Sequence, residues 1–154
     1  MKALIQRVSE ASVIADGELK GSCKEGFLIL FCSVFDDTDE DISVLSNKVS
    51  KLRIFEDENG KMNRSILDIG GEVLCVSQFT LAADTKKGNR PSFINAKEPK
   101  AAKDYYDKFC EELKKSGIKR VEKGVFGADM KVSLINDGPV TIMLDTETWR
   151  KNET

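Results

Sequence analysis

Histidine is absent from the 154 residues of the chain. That excludes Ser-His and Cys-His nucleophile pairs, and every zinc site that uses an imidazole. A hydrolase built from this chain must move protons with backbone donors, hydroxyls, carboxylates or groups of its substrate. Cysteine is scarce: Cys23, Cys32, Cys75 and Cys110 form no C-x-x-C pair. Three of them sit in apolar or helical runs, where a free thiol behaves as a small hydrophobe. Cys23 lies in a polar, turn-like stretch and is expected to be the most exposed. Neither the cysteines nor any carboxylate cluster has ligand spacing, so no metal and no cofactor is expected. No apolar run approaches the ~20 residues of a membrane span. The start, Lys2-Ala3-Leu4-Ile5, has no signal-peptide layout. A cytoplasmic protein without disulfides and away from membranes is the expectation. Repeats and linkers are also missing. The reading is one domain over residues 1–145. A polar tail over 146–154 is expected to fray, with Trp149 as its one docking group.

Charge is unevenly placed. The net value of −2 argues against a general nucleic-acid binder. Yet residues 86–131 carry 13 basic and 7 acidic side chains, net +6, whereas residues 1–85 carry 9 and 15, net −6. A local basic surface attracts a polyanion even on a neutral whole. The plainer reading is that these lysines solvate a long helix.

Ala3 to Val8 reads as a strand, and Ser12 to Ala15 as a second strand or its continuation. Asp16-Gly17 is a two-residue hairpin signal. Phe27 to Phe31 is a continuous apolar run and predicts a central strand buried on both faces. Thr38 followed by Asp39, Glu40 and Asp41 predicts a helix N-terminus whose acids complement the dipole. Ile42, Leu45, Val49 and Leu52 recur at helical spacing, giving a helix over about 39–51. Asn59-Gly60 is another turn. Gly88 and Pro91 make Ala82 to Asn95 a loop. Glu98-Pro99 opens a second helix. Its stripe of Ala102, Tyr105, Tyr106, Phe109 and Leu113 reads as core, and Gly117 stops it. Lys119 to Val125, Met130 to Ile135 and Val140 to Leu144 read as strands. Strands, helix, strands, helix and strands, with several hairpins, predict an α+β fold. Its sheet should be mostly antiparallel or mixed.

One stretch stands out. Val73-Leu74-Cys75-Val76 reads as a buried strand, and the apolar run breaks at Ser77-Gln78-Phe79-Thr80-Leu81. Polar groups at the end of a buried strand are placed to meet a ligand, although such hydroxyls also satisfy nearby backbone. Lys86, Lys87 and Arg90 follow at once, so an anionic substrate could be held beside that strand end. A second polar break, Asn136-Asp137-Gly138-Pro139-Val140-Thr141, lies near the C-terminus.

Together these two stretches resemble the signature pair of the D-aminoacyl-tRNA deacylase family. Gln6-Arg7-Val8, Leu52 to Asp57, Gly60 to Asn63, Arg90 to Phe93 and Phe126 to Met130 also look like that family, in its order, from about Met1 to Asp145. The resemblance implies a curved, barrel-like sheet with two main helices. It implies hydrolysis of the ester joining a D-amino acid to the 3′-terminal adenosine of tRNA, and removal of glycine mischarged on the alanine tRNA. The backbone of Gln78, Phe79 and Thr80, with Ser77 beside it, would stabilise the oxyanion. The substrate's 2′-hydroxyl would assist, leaving Thr80 to position groups. Asn136, Val140, Thr141, Phe126, Met130 and Arg7 would bind substrate, and Lys86, Lys87 and Arg90 the RNA. A cis Gly138-Pro139 dipeptide, inserted into the other subunit of a homodimer, would reject L-amino acids. Two alternatives stay open: a Thr80-nucleophile esterase, and a non-catalytic dimer that binds RNA or a nucleotide. The chain departs from the family pattern at Ala82, where many members carry Tyr. It departs again at Phe31-Cys32-Ser33, where small residues are more usual, which alters packing beneath the site.

Overall fold

The computed structural model describes residues 1–150. The first strand is its spine. β1 (Lys2–Ala15) buries Ala3, Ile5, Val8, Ala11, Val13 and Ala15. It pairs antiparallel with three others: β2 (Glu18–Cys23) at its C-terminal end, β3 (Gly26–Cys32) at its N-terminal end, and β8 (Met130–Asp145) along nearly all of it. The β1–β2 hairpin turns at Asp16 and Gly17, both at positive φ (53° and 74°), as a twist-matched two-residue turn requires.

β3 pairs on its other side with β6 (Glu72–Ser77), in parallel, and β6 pairs in parallel with β7 (Val121–Lys123). Parallel neighbours need crossovers. The first contains α1 (Asp39–Lys51), the β4–β5 hairpin (Phe55–Glu56, Met62–Arg64) and a short α2 (Ile66–Ile69); the second contains α3 (Pro99–Lys115). The sheet then curls until β2 meets β7. A Cβ on Gly21 would lie 2.7 Å from the Lys123 carbonyl oxygen, so only glycine allows that approach. The result is a nearly closed, barrel-like mixed sheet with helices packed on one side, the expected α+β class.

Sheet curvature gives two cores. Phe31, Leu45, Phe109 and Leu113 fill the layer between sheet and helices, with the Phe31 and Phe109 rings stacked 4.7 Å apart. Val8, Val13, Leu28, Leu74 and Val76 fill the barrel interior. β3 faces both, which is why its sequence is apolar without alternation. α1 begins as expected: the Asp41 carboxylate accepts from the Thr38 N–H at 2.8 Å, and Ile42, Leu45 and Val49 are buried. α3 buries Tyr106, Phe109, Cys110 and Leu113.

Three expectations need correction. Cys23 is buried, because β2 curls over the barrel end; its Sγ lies 3.8 Å from the Phe27 carbonyl oxygen, and burial, then the Glu72 charge, pushes its thiol up to about 11. The two strands expected near the C-terminus are one, β8, since both halves pair with β1 across the polar break. The stretch from Thr146 docks rather than frays through residue 150: Thr146 N–H donates to the Met1 carbonyl at 3.0 Å, and α4 (Glu147–Arg150) brings Arg150 to Asp37 at 2.8 Å. Trp149 packs on the core, as expected. The rest of the expected tail lies outside the described residues.

Candidate active site

β3 and β6 run side by side in the same direction, with Phe31 opposite Ser77, so their C-terminal ends open together. Ligands gather at such ends. There the chain leaves β6 and forms a single 3-10 turn, Phe79–Ala82. The Gln78 N–H, expected to be uncommitted, donates to the Phe31 carbonyl at 2.7 Å as a last rung of the sheet. The next two N–H groups, of Phe79 and Thr80, begin the turn and meet no acceptor among the described residues. The first N–H groups of a helical turn lack internal partners and suit an anionic oxygen. The Gln78 side-chain amide donates to the Thr80 hydroxyl.

A cleft of about 600 Å³ opens beside this turn, and Ser77, Gln78, Phe79, Phe126 and Met130 all line it. Phe79 is exposed and meets Phe93 edge-on at 5.1 Å. Phe93 lies at the base of the loop carrying Lys86, Lys87 and Arg90, all exposed. That loop is pinned where Asp84 and Ser92 exchange backbone hydrogen bonds of 2.7 and 2.9 Å. Thr80, one residue on from Phe79, is exposed and is not among the residues that line the cleft.

Among the described residues that line the cleft, no nucleophile is hydrogen-bonded to a base. Cys32 lines the cleft, but burial pushes that thiol up to about 11, well above neutral pH. An un-ionised thiol attacks poorly. Thr80 receives a hydrogen bond from Gln78, and an amide donor cannot take the hydroxyl's proton. What the turn offers is a pair of fixed donors beside an apolar slot.

The second group of expected residues gathers elsewhere in the same chain. Between Gln6 opposite Thr141 and Val8 opposite Asn136, the β1–β8 register slips, and residues 137–140 bulge outward. Arg7 is buried under the bulge, 7% exposed; it donates Nε to the Asp137 carbonyl at 3.0 Å and Nη1 to the Ile54 carbonyl at 2.7 Å. Asn136 braces the bulge from within: its Oδ1 accepts from Val140 N–H at 3.1 Å, and its Nδ2 donates to Thr141 Oγ1 at 2.8 Å. Val140 is buried. Gly138 and Pro139, joined by a cis bond, stand exposed at the tip. A side chain at Gly138, which has φ 133°, would meet Val140 at 2.8 Å and Arg7 at 3.0 Å. Within the chain, then, Arg7, Asn136, Val140 and Thr141 brace this bulge and are not among the residues that line the cleft.

Residues not singled out as ligand contacts also line the cleft, among them Cys32, Ser33, Phe93 and Lys97. A signal for the first two was present: the apolar run of β3 breaks at Cys32-Ser33 as that of β6 breaks at Ser77-Gln78. Two buried strands that both turn polar at the same end point to one place.

The model of the D-Tyr-tRNA(Tyr) deacylase family matches residues 4–145. Two proteins named D-aminoacyl-tRNA deacylase, from Parabacteroides distasonis and Bacteroides thetaiotaomicron, are each 52% identical over 147 residues. In both cases the match covers 96% of this chain and 98% of the relative. A solved structure described as c-Myc DNA Unwinding Element Binding Protein is 41% identical, with a TM-score of 0.89 over 94% of this chain and 98% of its own. A probable eukaryotic D-amino acid tRNA deacylase shares the fold at 17% identity, with a TM-score of 0.81 over 93% and 97% of the two chains. The fold and the matched length define a class of hydrolases. The chain belongs to the D-Tyr-tRNA(Tyr) deacylase family.

Proposed function

We propose that this protein is a cytoplasmic D-aminoacyl-tRNA deacylase, which releases a D-amino acid from tRNA by ester hydrolysis. Glycine mischarged on the alanine tRNA belongs to the same substrate set, because it has no side chain to reject. The observation that carries this reading is the pair of unspent N–H groups, Phe79 and Thr80, at the edge of an apolar cleft. Attack on an ester carbonyl builds charge on its oxygen, and two fixed backbone donors stabilise that charge where it forms. Losing one such donor costs ~100- to 1,000-fold in rate. The 2′-hydroxyl of the terminal adenosine sits beside the ester and assists the attacking water. This route asks the protein for position and charge stabilisation, and the cleft offers both. It also gives RNA-linked esters an advantage over DNA-linked ones. The Lys86, Lys87 and Arg90 loop, pinned next to Phe93, holds the RNA backbone.

Chirality is read by rejection. In this reading two copies pair about a two-fold axis, and each presents Gly138-Pro139 to the cleft of the other. The bulge is exposed and braced from beneath by Arg7 and Asn136, as a rigid probe needs to be. Backbone held that firmly leaves no space for the side chain of an L-amino acid, so the unwanted substrate is excluded by sterics.

Incubation with D- and L-aminoacyl-tRNA tests the whole reading. Release of the D-amino acid and survival of the L-ester is the expected result. A protein that protects both esters from spontaneous hydrolysis is a binder of RNA, and the deacylase reading then fails.

A further inference from the structure

We propose that Ser33 is a substrate-contacting residue whose hydroxyl reads the polar edge of the 3′-terminal nucleobase. The inference rests on the deacylase reading above and adds a specificity-determining residue to it. Ser33 follows the last residue of β3 and is 5% exposed. Its Oγ is the only buried side-chain oxygen or nitrogen without a hydrogen-bond partner among the described residues. Ser33 is among the residues that line the cleft. Its backbone is fixed, because its carbonyl accepts from Lys97 N–H at 3.1 Å. A buried hydroxyl left without a partner destabilises a protein. Natural chains leave very few such groups, and each calls for an explanation. An explanation is at hand if the partner arrives with the ligand.

The walls around Ser33 narrow the choice of partner. Phe79, Phe93, Pro99, Phe126 and Met130 give the cleft an apolar lining. A ribose-phosphate would seek the basic loop outside, and an ammonium would seek the exposed carboxylates of Glu98 and Asp129, which line the same cleft. A purine has apolar faces and a polar rim, which suits a largely apolar slot with the unpartnered Ser33 hydroxyl at its wall. Serine can donate to a ring nitrogen or accept from an exocyclic amine. The placement is consistent with the chemistry next door: Cys32 Sγ lies 3.7 Å from the Phe79 carbonyl, so a base held at Ser33 is close to the turn that receives the ester.

The test uses Ser33→Ala in the full chain. Thermal unfolding of the free protein should show an unchanged or higher midpoint, since the variant loses an unsatisfied group. The KM for D-aminoacyl-tRNA should rise ~2- to 10-fold, the worth of one neutral hydrogen bond, with kcat unchanged. Binding of a non-hydrolysable D-aminoacyl adenosine amide, and of versions each lacking one heteroatom of the base edge, identifies the contact. Wild type should lose affinity for one of these versions, and Ser33→Ala should show no further loss for that one. A lowered unfolding midpoint with unchanged KM makes the hydroxyl structural and overturns the proposal. So does a raised KM with both proteins ranking the base analogues alike. Wild type that binds the amide but releases no amino acid overturns the deacylase reading alone, because the analogue ranking still decides Ser33. Wild type that binds no analogue overturns both.

Discussion

Arg7 ties the Gly138-Pro139 bulge, the proposed chiral probe, to the fold, and replacing it should loosen one without disabling the rest of the site. The guanidinium is buried and spans two carbonyls, Asp137 at the bulge and Ile54 in the crossover. Arg7→Leu removes both bonds. Asp137 is exposed, so water re-solvates its carbonyl, but Ile54 is buried and its carbonyl loses a donor. Hydrogen bonds to charged groups contribute ~1.5–3 kcal/mol each, and one of the two is partly replaced, so the net loss is about 2–4 kcal/mol. A domain of this size has ~5–15 kcal/mol to lose, so the variant folds. Each kcal/mol moves Tm by ~2–4 °C at this length, and a fall of roughly 5–15 °C follows. Arg7→Lys should fall about half as far, because an ammonium lacks the planar fork that reaches both carbonyls at once. The functional effect is more specific. The proposed oxyanion donors, Phe79 and Thr80, sit on a different element, so the rate on D-aminoacyl-tRNA should change little. The bulge loses its tether, so L-aminoacyl-tRNA should begin to be cleaved. Calorimetry and paired D- and L-deacylation assays read both effects. An unchanged Tm, or a lost D-rate with the D-to-L ratio preserved, would refute the reasoning.

Thr80→Ala should retain measurable deacylation, with a loss smaller than the ~100-fold typical of a missing oxyanion donor. An acyl group trapped on Thr80 of the wild-type protein would instead establish it as the nucleophile. Joint replacement of Lys86, Lys87 and Arg90 by Gln should weaken tRNA binding and flatten its salt dependence by ~0.7–0.9 in slope for each phosphate no longer neutralised. An unaltered slope moves the RNA surface elsewhere, with the lysines of α3 the next to try. Burial pushes the Asp41 carboxyl up, but hydrogen bonds from Arg150 and the Thr38 N–H outweigh it and hold it below its ordinary value. A depressed folded pKa gives stability that is present above the unfolded value, ~3.9, and lost as pH falls through the folded one. Arg150→Ala should therefore lower Tm at pH 7, and its deficit relative to wild type should shrink on acidification. A deficit that stays constant with pH would assign Arg150 a packing role only.

Local chemistry made much of the fold legible. The Asp16-Gly17 turn, the Thr38 cap and the stripe of α3 each announce themselves within a few residues, because the forces involved act over one turn or hairpin. The strand end at Ser77 was legible for the same reason, as a sudden loss of apolar character. Closure of the sheet was not. It depends on Gly21 lying against Lys123, an approach of distant segments that no window of sequence contains. Cys23 misled for that reason, since its neighbours are polar and its burial comes from strands elsewhere. The polar break at Asn136 to Pro139 looked like the end of a strand, but β1 pairs on both sides of it and carries β8 across. Ser33 was visible as the polar break that ends the apolar run of β3, but its lack of a partner required coordinates.

The arrangement of β1 sets a timetable for synthesis. Lys2 lies opposite Asp145 and Ala15 opposite Met130, so the opening segment finds one of its main partners only in the closing one. While the chain is still growing, β1 can pair with β2 and β3, but the flank reserved for β8 stays bare. An unpaired strand edge invites pairing with another chain. Pairings this distant in sequence also slow folding, because the loop must close before any of them rewards it. Completion of the sheet, and of the bulge that carries Gly138-Pro139, thus waits until the segment through Asp145 has left the ribosome. A nascent chain shorter than that has the donors of Phe79 and Thr80 but not the bulge that would discriminate between enantiomers.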